Sequence, residues 1–456
     1  MKILVIGNGG REYALIWKIS QSSLVKKIYC APGNAGTSDV AENVNIESTD
    51  IKGLIEFAIK NSIDLTVVGP ELPLTLGIVD EFEKRGLKIF GPSKEAAEIE
   101  GSKVFAKYIM KKYKIPTAKY ESFNSQKDAK DYILSLQSSA VSFQPVVIKA
   151  DGLAAGKGVI ICNSIDDAVN AVDLIMVEKV FGSAGNNVII EEYLKGEEAS
   201  FMVFSDGEDM LPIASAQDHK QIYDSDKGPN TGGMGAYSPA PVITEKLNRE
   251  ILGTVIKPLI SGMMKEGKTY KGILYAGLMI VNGSPFVLEF NCRFGDPETQ
   301  PILMRMKSDI VPVLMSVVEG RLKGEEIQWT DEPSVCVVMA AGGYPDKYEK
   351  GKEIKGLDEA KKIENLVVFH AGTSILIPPH PPLSKGGKGG FKVVTNGGRV
   401  LGVTSLGTNF EDAINRTYKG VTLIKWDGAY YRRDIGRKAI SISRKTVKIS
   451  TVKIST

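Results

Sequence analysis

Four short apolar runs in the first 92 residues alternate with helical patterns, and a glycine follows each run closely. The apolar runs cover residues 3–6, 28–30, 65–68 and 88–90. Helices are predicted between them at about 13–20, 51–60 and 77–85. Alternating strands and helices predict a parallel sheet with helices on its faces. Because ligands bind beyond the carboxyl ends of such strands, these glycine-containing loops are predicted to border a ligand site.

The first of these loops, residues 7–12, fails the requirements of a nicotinamide-binding turn. Glu12 stands where that turn needs its third glycine, and the region near residue 30 lacks the acidic residue that binds the ribose. A nicotinamide oxidoreductase is therefore disfavoured. The free amides at the helix N-terminus after Gly9 and Gly10 can still attract a phosphate or carboxylate. A tight strand-to-helix turn without a ligand is the alternative.

A second constraint is the stretch 287–294, which is β-favouring and carries polar residues at every second position. Side chains along a strand alternate between two faces. The polar face is predicted to carry Val287, Glu289, Asn291 and Arg293. The opposite face, which is predicted to be core, carries Leu288, Phe290, Cys292 and Phe294.

The polar face of this strand predicts a site for a metal and a phosphate. Neighbours on one face lie about 6.6 Å apart, which is close enough to act on one ligand. The oxygens of Glu289 and Asn291 suit a hard cation such as magnesium. The planar guanidinium of Arg293 suits phosphate oxygens. The alternative is an edge strand whose polar face is simply solvated.

A glycine-rich hairpin is predicted between the strands 145–149 and 159–162. It is not a P-loop, because three residues rather than four separate Gly152 from Gly156, and Gly158 follows Lys157. Glycines let backbone amides approach phosphates, and Lys149 and Lys157 add positive charge. The hairpin is therefore predicted to be a phosphate-binding lid. Residues 164–167 form a capping box for the helix that follows.

A second glycine-rich loop, residues 228–235, is too long for a tight turn, and long ordered loops are often functional. The alternative is a mobile surface loop. His219, shortly before it, is predicted to be structural. Strands at 335–341, 367–373 and 393–401 predict a third, β-rich domain. The proline- and glycine-rich residues 378–390 inside it are predicted to be disordered.

Composition excludes several classes of protein. The chain has 456 residues, enough for about three domains. A net charge of +3 gives no argument for nucleic acid, and no apolar run reaches the roughly 20 residues of a membrane helix. The four cysteines are scattered and include no Cys-x-x-Cys pair, which fits a reducing cytoplasm. We therefore expect a cytoplasmic protein with neither nucleic-acid nor membrane partners.

Taken together, these stretches resemble the phosphoribosylamine–glycine ligase (glycinamide ribonucleotide synthetase) family of ATP-grasp enzymes in purine synthesis. The matching motifs lie in the family's order at residues 7–12, 69–71, 101–103, 149–158, 228–239, 289–300, 341–345 and 370–373. As a set they are specific, and they cover about residues 1–436. Tyr13 stands where the family usually has histidine, so the resemblance implies no acid–base role there.

The resemblance implies an α/β protein with an ATP-grasp fold. The implied domains are an N-terminal Rossmann-like parallel-sheet domain at 1–102, an ATP-grasp domain at 103–328 with a small α+β lid at about 120–192, and a C-terminal mixed β domain at 329–436. The low-complexity insert 378–391 and the appended tail 437–456, which repeats Thr-Val-Lys-Ile-Ser, have no counterpart in the family. We expect a monomer.

The resemblance also implies a set of site residues. The implied catalytic residues are Arg293 and Asp218. The implied nucleotide-binding residues are Lys103, Lys149, Gly156, Lys157, Gly158, Glu191, Glu192, Leu194 and Glu198. The implied metal ligands, for Mg²⁺ or Mn²⁺, are Glu289 and Asn291. The implied substrate-binding residues are Gly9, Gly10, Arg11, Pro70, Glu71, Asn230, Thr231, Gly232, Gly233 and Gly295.

The implied reaction joins glycine to 5-phosphoribosylamine with cleavage of ATP, through a glycyl phosphate intermediate. One alternative is another ATP-grasp carboxylate–amine ligase, or a carboxylase of the biotin-carboxylase kind. A second alternative is a nucleotide-binding module that has lost catalysis. The joint presence of Glu289, Asn291 and Arg293 argues against the second, because a binding module does not need all three.

Overall fold

The computed structural model describes residues 1–136, 143–154, 158–376 and 392–442. Its first hundred residues form the predicted parallel sheet, with the strand order β3-β2-β1-β4-β5. The strands are β1 Lys2–Gly7, β2 Lys27–Pro32, β3 Glu42–Asn43, β4 Leu65–Val68 and β5 Ile89–Phe90. The helices are α1 Gly10–Ile19, α2 Ile51–Asn61, α3 Glu71–Leu76, α4 Ile78–Glu83 and α5 Lys94–Gly101. Since the strand order reverses between β1 and β4, their carboxyl ends border a crevice.

The helix predicted at 77–85 is α4, and a second helix that was not predicted, α3, comes directly before it. Gly77 adopts φ +94°, a left-handed conformation that ends α3 and lets α4 begin at Ile78. Glycine accepts this conformation without a steric penalty, whereas other residues rarely do. The break leaves Glu71 at the first turn of α3, directly after β4. That position is at the crevice of the parallel sheet.

The lid is a four-stranded antiparallel sheet in the order β6-β9-β7-β8. Its elements, preceded by α6 Lys103–Lys112, are β6 Tyr120–Phe123, α7 Gln126–Ser135, β7 Val146–Ala150, β8 Val159–Cys162, α8 Ile165–Met176 and β9 Val188–Glu192. Strands β7 and β8 pair as the predicted hairpin. The predicted capping box is also present, since Asp167 N–H donates to Ser164 Oγ at 3.1 Å. The lid has a hydrophobic core of its own, which includes Ile148 and Val172.

The central sheet is antiparallel, in the order β11-β10-β16-β17. Between the lid and the C-terminal domain lie β10 Glu197–Asp206, β11 Met210–Pro212, β12 Gln217–Asp218, β13 Gln221–Tyr223, β14 Lys227–Asn230, β15 Gly235–Ser238, α9 Glu245–Ile251, α10 Lys257–Lys265, β16 Lys271–Val281, β17 Ser284–Asn291, α11 Thr299–Arg305 and α12 Ile310–Glu319. The hydrophobic core of the central sheet is continuous with that of the parallel sheet, since Phe201 and Phe290 share a cluster with Leu4.

Strand β17 corrects the predicted faces of the stretch 287–294. It covers Ser284–Asn291, and Leu288 is an extra residue between the pairs Leu278–Val287 and Gly277–Glu289. A β-bulge of this kind reverses the alternation of side chains. Val287 is therefore fully buried in the core, and Leu288 lines the cavity described below. The predicted positions of Val287 and Leu288 were wrong, because the sequence pattern assumes an unbroken strand.

The C-terminal sheet has the order β12-β15-β18-β22-β19, so it includes two strands from before residue 329. The remaining elements are β18 Ser334–Ala340, α13 Leu357–Ala360, β19 Leu366–His370, β20 Thr373–Leu376, β21 Lys392–Thr395, β22 Arg399–Leu406 and α14 Phe410–Leu423. The second glycine-rich loop therefore lies between strands of two different sheets. The insert 378–391 and residues 443–456 of the predicted tail lie outside the described residues.

Candidate active site

A cavity of about 590 Å³ lies where the lid, the central sheet, the crevice of the parallel sheet and the C-terminal domain meet. The predicted site residues that line it are Arg11, Pro70, Glu71, Lys103, Lys149, Gly158, Glu191, Glu192, Leu194, Glu198, Asp218, Asn230, Thr231, Gly232, Glu289, Asn291 and Arg293. Four others, Gly9, Gly10, Gly233 and Gly295, lie outside this lining. Gly156 and Lys157 fall outside the described residues.

Glu289 and Asn291 lie at the end of β17 and border the cavity together. Burial alone would raise the pKa of Glu289, but Lys220, Lys103 and Lys149 together lower it below its ordinary value. The carboxylate is therefore ionised at neutral pH. Asn291 Oδ1 already accepts from Arg293 Nη2 at 3.2 Å. An ionised carboxylate beside an amide oxygen is a donor set that fits Mg²⁺, which takes its other ligands from water and phosphates.

The described residues contain no group of three or more His, Cys, Asp or Glu side chains arranged to hold a metal ion. The protein alone therefore offers a partial coordination shell at Glu289 and Asn291. This is the pattern of sites in which a nucleotide's phosphates complete the shell of the ion.

Arg293 is held by two carboxylates from the N-terminal domain. Its Nε lies 3.3 Å from Glu71 Oε2, and its Nη2 lies 3.1 Å from Glu100 Oε1. Glu100 also accepts the Cys292 N–H at 2.7 Å. Burial raises the pKa of Glu100, although Arg293 opposes this. Sequence reasoning missed Glu100, because a glutamate in a charged helix gives no sign that it is buried against another domain.

Asp218 and Lys220 both line the cavity. Burial raises the pKa of Asp218 to about 8, against the opposing effect of Lys220 and with help from Glu298. Lys220 Nζ forms an ion pair with Glu198 Oε2 at 3.0 Å. Lys220 was not predicted, although alternation along an extended chain places it two residues after Asp218 on the same side. His219, between them, packs against the Tyr237 ring at 5.7 Å and is not part of the lining.

The lid side of the cavity contains a buried cluster of three charges. Lys107 Nζ lies 3.0 Å from Glu191 Oε1, and Lys149 Nζ lies 3.0 Å from Glu191 Oε2. Lys149 also donates to the Leu288 carbonyl at 3.0 Å, and Lys103 donates to the Gly152 carbonyl at 2.8 Å. Lys107 was not predicted. Its only sequence signal is its position four residues after Lys103, on the same face of a helix.

The C-terminal domain holds the second glycine-rich loop. Gly232 N–H donates to Tyr344 Oη at 3.0 Å, and the Gly232 carbonyl accepts from Arg399. Arg399 Nη2 also pairs with Asp296 Oδ2 at 2.8 Å. Gly233 adopts φ +111°, and a Cβ there would lie 2.4 Å from Pro297 Cδ. Gly233 therefore shapes the loop from behind the cavity and does not line it.

In the N-terminal turn, the carboxylate of Glu12 lies where a bound anion would otherwise lie. Gly9 N–H donates to Glu12 Oε2 at 2.6 Å, and Arg11 Nε pairs with Glu12 Oε1 at 2.7 Å. Glu12, which stands at the third glycine position of a dinucleotide-binding turn, thus accepts the hydrogen bond that the Gly9 amide would otherwise donate to a phosphate. Gly10 packs closely, because a Cβ there would lie 2.6 Å from Gln300 Nε2.

Tyr13 lies in the interface between the N-terminal and C-terminal domains. Its ring meets Phe369 at 5.7 Å and His370 at 5.9 Å, in edge-on contacts. Burial, with a contribution from Asp39, raises the pKa of Tyr13 to about 12. The phenol is therefore protonated at neutral pH.

A parallel-sheet domain, a glycine-rich lid hairpin and a central antiparallel sheet that carries Glu289 and Asn291 define an ATP-grasp protein. The biotin carboxylase domain of Hydrogenobacter thermophilus 2-oxoglutarate carboxylase, crystallised with MgADP, ADP and bicarbonate, has the same fold. It superposes with a TM-score of 0.69 at 17% identity, over 94% of this chain and 91% of that chain.

Family models identify the particular group within this class. Those described as the N, ATP-grasp (A) and C domains of phosphoribosylglycinamide synthetase match residues 1–100, 101–299 and 334–438. The chain belongs to the phosphoribosylamine–glycine ligase family.

Individual relatives agree with this assignment. Phosphoribosylamine–glycine ligases from Caldanaerobacter subterraneus and Escherichia coli K12 are each 50% identical, over 95% and 96% of this chain and 99% of their own lengths. The crystal structure of the phosphoribosylamine–glycine ligase from Thermotoga maritima has a TM-score of 0.79 at 34% identity. It covers 95% of this chain and 100% of that chain. None of the helices in the part of the chain described is long and apolar enough to cross a bilayer.

Proposed function

We propose that this chain joins glycine to 5-phosphoribosylamine with cleavage of ATP to ADP and phosphate, giving glycinamide ribonucleotide. The relatives that are 50% identical over almost the whole chain are named for this ligation. The observation that carries the proposal is the meeting of three groups in one cavity. These are the lysines at the lid, the set Glu289, Asn291 and Arg293, and the glycine-rich loop at Gly232.

The nucleotide is assigned to the lid side of the cavity. Lys103 and Lys149 bind phosphates, together with the glycine-rich hairpin that ends at Gly158. The segment from Glu191 to Leu194 binds the adenine, and Glu198 binds the ribose hydroxyls. These assignments are supported by the shared lining of the cavity and by the two lysines at its wall. Gly156 and Lys157 have the same proposed role on the part of the hairpin that is not described.

Glu289 and Asn291 are the proposed ligands of a divalent cation, Mg²⁺ or Mn²⁺. The lowered pKa of Glu289, which burial opposes and nearby lysines bring about, supports an ionised ligand. When bound, the cation neutralises charge on the phosphates of the nucleotide.

The substrates are assigned to the opposite side. Glycine lies near Asp218 and the loop Asn230 to Gly233. The ribose phosphate lies near Arg11, Pro70 and Glu71, with Gly9, Gly10 and Gly295 shaping the wall behind them. Arg11 lines the cavity and carries positive charge, which suits a phosphate. The internal bond from Gly9 to Glu12 means that the ribose phosphate relies on side chains more than on the Gly9 amide.

The chemistry proceeds in two displacements. A carboxylate oxygen of glycine attacks the γ-phosphorus of ATP, the bond to ADP breaks, and glycyl phosphate forms. The amine of 5-phosphoribosylamine then attacks the acyl carbon, the bond to phosphate breaks, and the nitrogen loses a proton. Arg293 offsets charge on the transferring phosphoryl group. Asp218 accepts this proton in its ionised form, which a pKa of about 8 makes the minor form at neutral pH and the major form above pH 8.

Water exclusion is the task of the lid, because acyl phosphates hydrolyse. The lid has its own core and contacts the cavity through the β7–β8 hairpin. It can therefore close as a unit over the nucleotide. We further propose that the chain acts as a monomer in the cytoplasm. The four cysteines, all buried and free, agree with a reducing compartment.

The proposal is tested by ADP release from the purified protein with Mg²⁺. Both glycine and 5-phosphoribosylamine should be required, so omission of either should remove release above background. Release with bicarbonate or with another acid and amine would instead favour a different ATP-grasp ligase or a carboxylase. Binding of ATP without turnover under any combination would favour a non-catalytic module.

A further inference from the structure

We propose that Lys107 is a positioning residue for nucleotide binding, which neutralises Glu191 so that Lys149 can leave this carboxylate for the phosphates of ATP. The inference rests on the proposed function, since it needs a nucleotide beside Lys149. Lys107 does not have to touch the nucleotide. Lys107 acts through Glu191, whose ion pair with Lys149 has to break when ATP binds.

The geometry makes Glu191 a carboxylate with one lysine on each oxygen. Both N–O distances are 3.0 Å. The side chains of Lys107, Lys149 and Glu191 are 3%, 7% and 2% exposed, so water does little to stabilise any of them. Two cations around one anion leave a net charge of +1, which favours the entry of a phosphate group at this wall.

The two lysines differ in how firmly they are held. Lys107 Nζ also donates to Thr117 Oγ1 at 2.7 Å and lies over the Tyr120 ring at 5.0 Å. Tyr120 Oη in turn donates to the Lys107 carbonyl at 3.0 Å. Thr117 Oγ1 is tied to the Val287 carbonyl at 2.7 Å. Lys107, which lies on α6, is thus anchored to the start of the lid and, through Thr117, to the central sheet.

Lys149 is held by fewer contacts than Lys107. Apart from Glu191, its partner among the residues that the structure describes is the Leu288 carbonyl at 3.0 Å, on the bulged residue of β17 next to Glu289. It lies on β7, one strand of the lid hairpin. Phosphates bound near Lys103 and Glu289 would draw this ammonium toward the cavity. Lys149 is therefore the lysine free to exchange partners, and Lys107 is the one that stays.

A buried carboxylate left without any cation is strongly disfavoured. With Lys107 present, departure of Lys149 still leaves Glu191 paired. Without Lys107, Lys149 becomes the only cation on Glu191, and binding the phosphates would strand the carboxylate. When Lys107 is removed, Lys149 should therefore stay paired with Glu191, and ATP binding should weaken. Removal of the charge on Glu191 should then restore much of the affinity.

The charges that face Lys107 are Glu191 and Glu192 of β9 and Lys149 of β7. Burial lowers the pKa of Lys107 to about 8, although Glu191 opposes this, and the repulsion of Lys149 adds to it. Above this pH the residue that stays with Glu191 loses its charge. The KM for ATP should then rise as the pH increases through about 8.

Four variants test the inference by ATP and ADP titration calorimetry and by steady-state ADP release. Lys107→Met should raise the Kd and KM for ATP about tenfold or more, with a smaller change in kcat. Lys107→Met/Glu191→Gln should recover most of this loss. Lys107→Arg, which remains charged, should keep ATP affinity and flatten the rise of KM above pH 8. Lys112→Met is the matched control, because Lys112 lies on the same helix, pairs with Glu266 at 2.6 Å and is outside the cavity lining.

Each result decides between explanations. An unchanged ATP affinity in folded Lys107→Met overturns the inference. A loss in Lys107→Met that the second substitution does not repair also overturns it. If Lys107→Met does not fold, the pH dependence of KM in the wild type and in Lys107→Arg remains a test, and identical profiles would overturn the inference. Absence of ATP binding in the wild type would mean instead that the proposed function fails.

Discussion

At the scale of single residues, the cavity is organised by buried and half-buried charges that neutralise one another. Arg293 is paired with Glu71 and Glu100, Glu191 with two lysines, and Lys220 with Glu198. Buried charges persist only when partners and hydrogen bonds offset their loss of water. A phosphate and a metal ion that enter this cavity therefore compete for partners that are already present.

Arg293 is the residue whose removal should affect the chemistry most. Arg293→Ala should lower kcat about 10²–10³-fold, since one lost donor to a developing anion typically costs about 3–4 kcal/mol. It also leaves Glu100 without its cation, so the free energy of unfolding should fall as well. Arg293→Ala/Glu100→Gln should recover stability but not kcat. An unchanged kcat in Arg293→Ala would remove this residue from the mechanism, and exposed Arg321→Ala is the control.

Asp218 should make stability depend on pH. Its pKa rises from 3.8 to about 8 on folding, chiefly because it is buried. The folded state therefore binds more protons than the unfolded state between about pH 4 and pH 8. The contribution of Asp218 to stability is fully present below about pH 4 and is lost as the pH increases through 8. Asp218→Asn should remove this loss.

The measurement is urea unfolding of the wild type and Asp218→Asn at pH 5 and pH 8 in metal-free buffer. The advantage of the variant in free energy of unfolding should be larger at pH 8. Equal differences at the two pH values would show that the pKa of Asp218 is not raised. Catalysis gives a second check, because Asp218→Asn has no carboxylate to accept a proton, so kcat should fall.

At the scale of elements, the β7–β8 hairpin and helix α8 make the lid a separate unit with its own core. Ser164 caps α8 through the Asp167 amide at 3.1 Å, and Asp167 caps the Ser164 amide in return, also at 3.1 Å. Ser164→Ala should destabilise the lid by about 1 kcal/mol, which is the usual value of such a cap. Amide exchange should accelerate in α8 while the parallel sheet stays protected.

Ser135→Ala is the control for this lid prediction, because the one partner of the Ser135 hydroxyl among the described residues is the Tyr132 carbonyl within its own helix. Uniform acceleration of exchange across the whole chain in Ser164→Ala would show that the lid does not unfold on its own. A local effect would support the view that the lid moves as a unit.

At the scale of the whole molecule, the cavity exists only because the three domains share it. Arg399 of the C-terminal sheet bonds to Gly232 and Asp296, and Glu71 and Glu100 of the first domain hold Arg293. The C-terminal sheet also includes β12, which carries Asp218, and β15, into which the glycine-rich loop leads. The loop is therefore positioned by a domain that contains few of the predicted site residues.

Arg399→Ala should loosen this loop and lower kcat/KM for glycine about tenfold or more, because the Gly232 carbonyl of the loop and the Asp296 carboxylate lose a half-buried cation. Proteolysis between residues 228 and 235 should become faster. Lys361→Ala is the matched control: the Lys361–Asp39 pair also joins the first and third domains, at 3.0 Å, but is about two-fifths exposed. It should change stability by less than about 1 kcal/mol. Equal effects of the two variants would contradict the special role of Arg399.

The sequence by itself determined the local patterns. Alternating apolar runs with glycines at their ends predicted the parallel sheet, and the motifs from residue 7 to residue 373 predicted the family. Most of the site residues predicted from these motifs line the cavity. These signals are local, since strand alternation, glycine turns and capping boxes depend on neighbours within a few residues.

Only the tertiary structure decided the rest. The bulge at Leu288 moved Val287 into the core, because pairing with β16 rather than the pattern of β17 fixes the register. Glu100, Lys107 and Arg399 joined the site through partners 84 or more residues distant along the chain, apart from the local contacts of Lys107 with Thr117 and Tyr120. Burial and long-range pairing set the charge and position of these groups, and neither is encoded in the residues beside them.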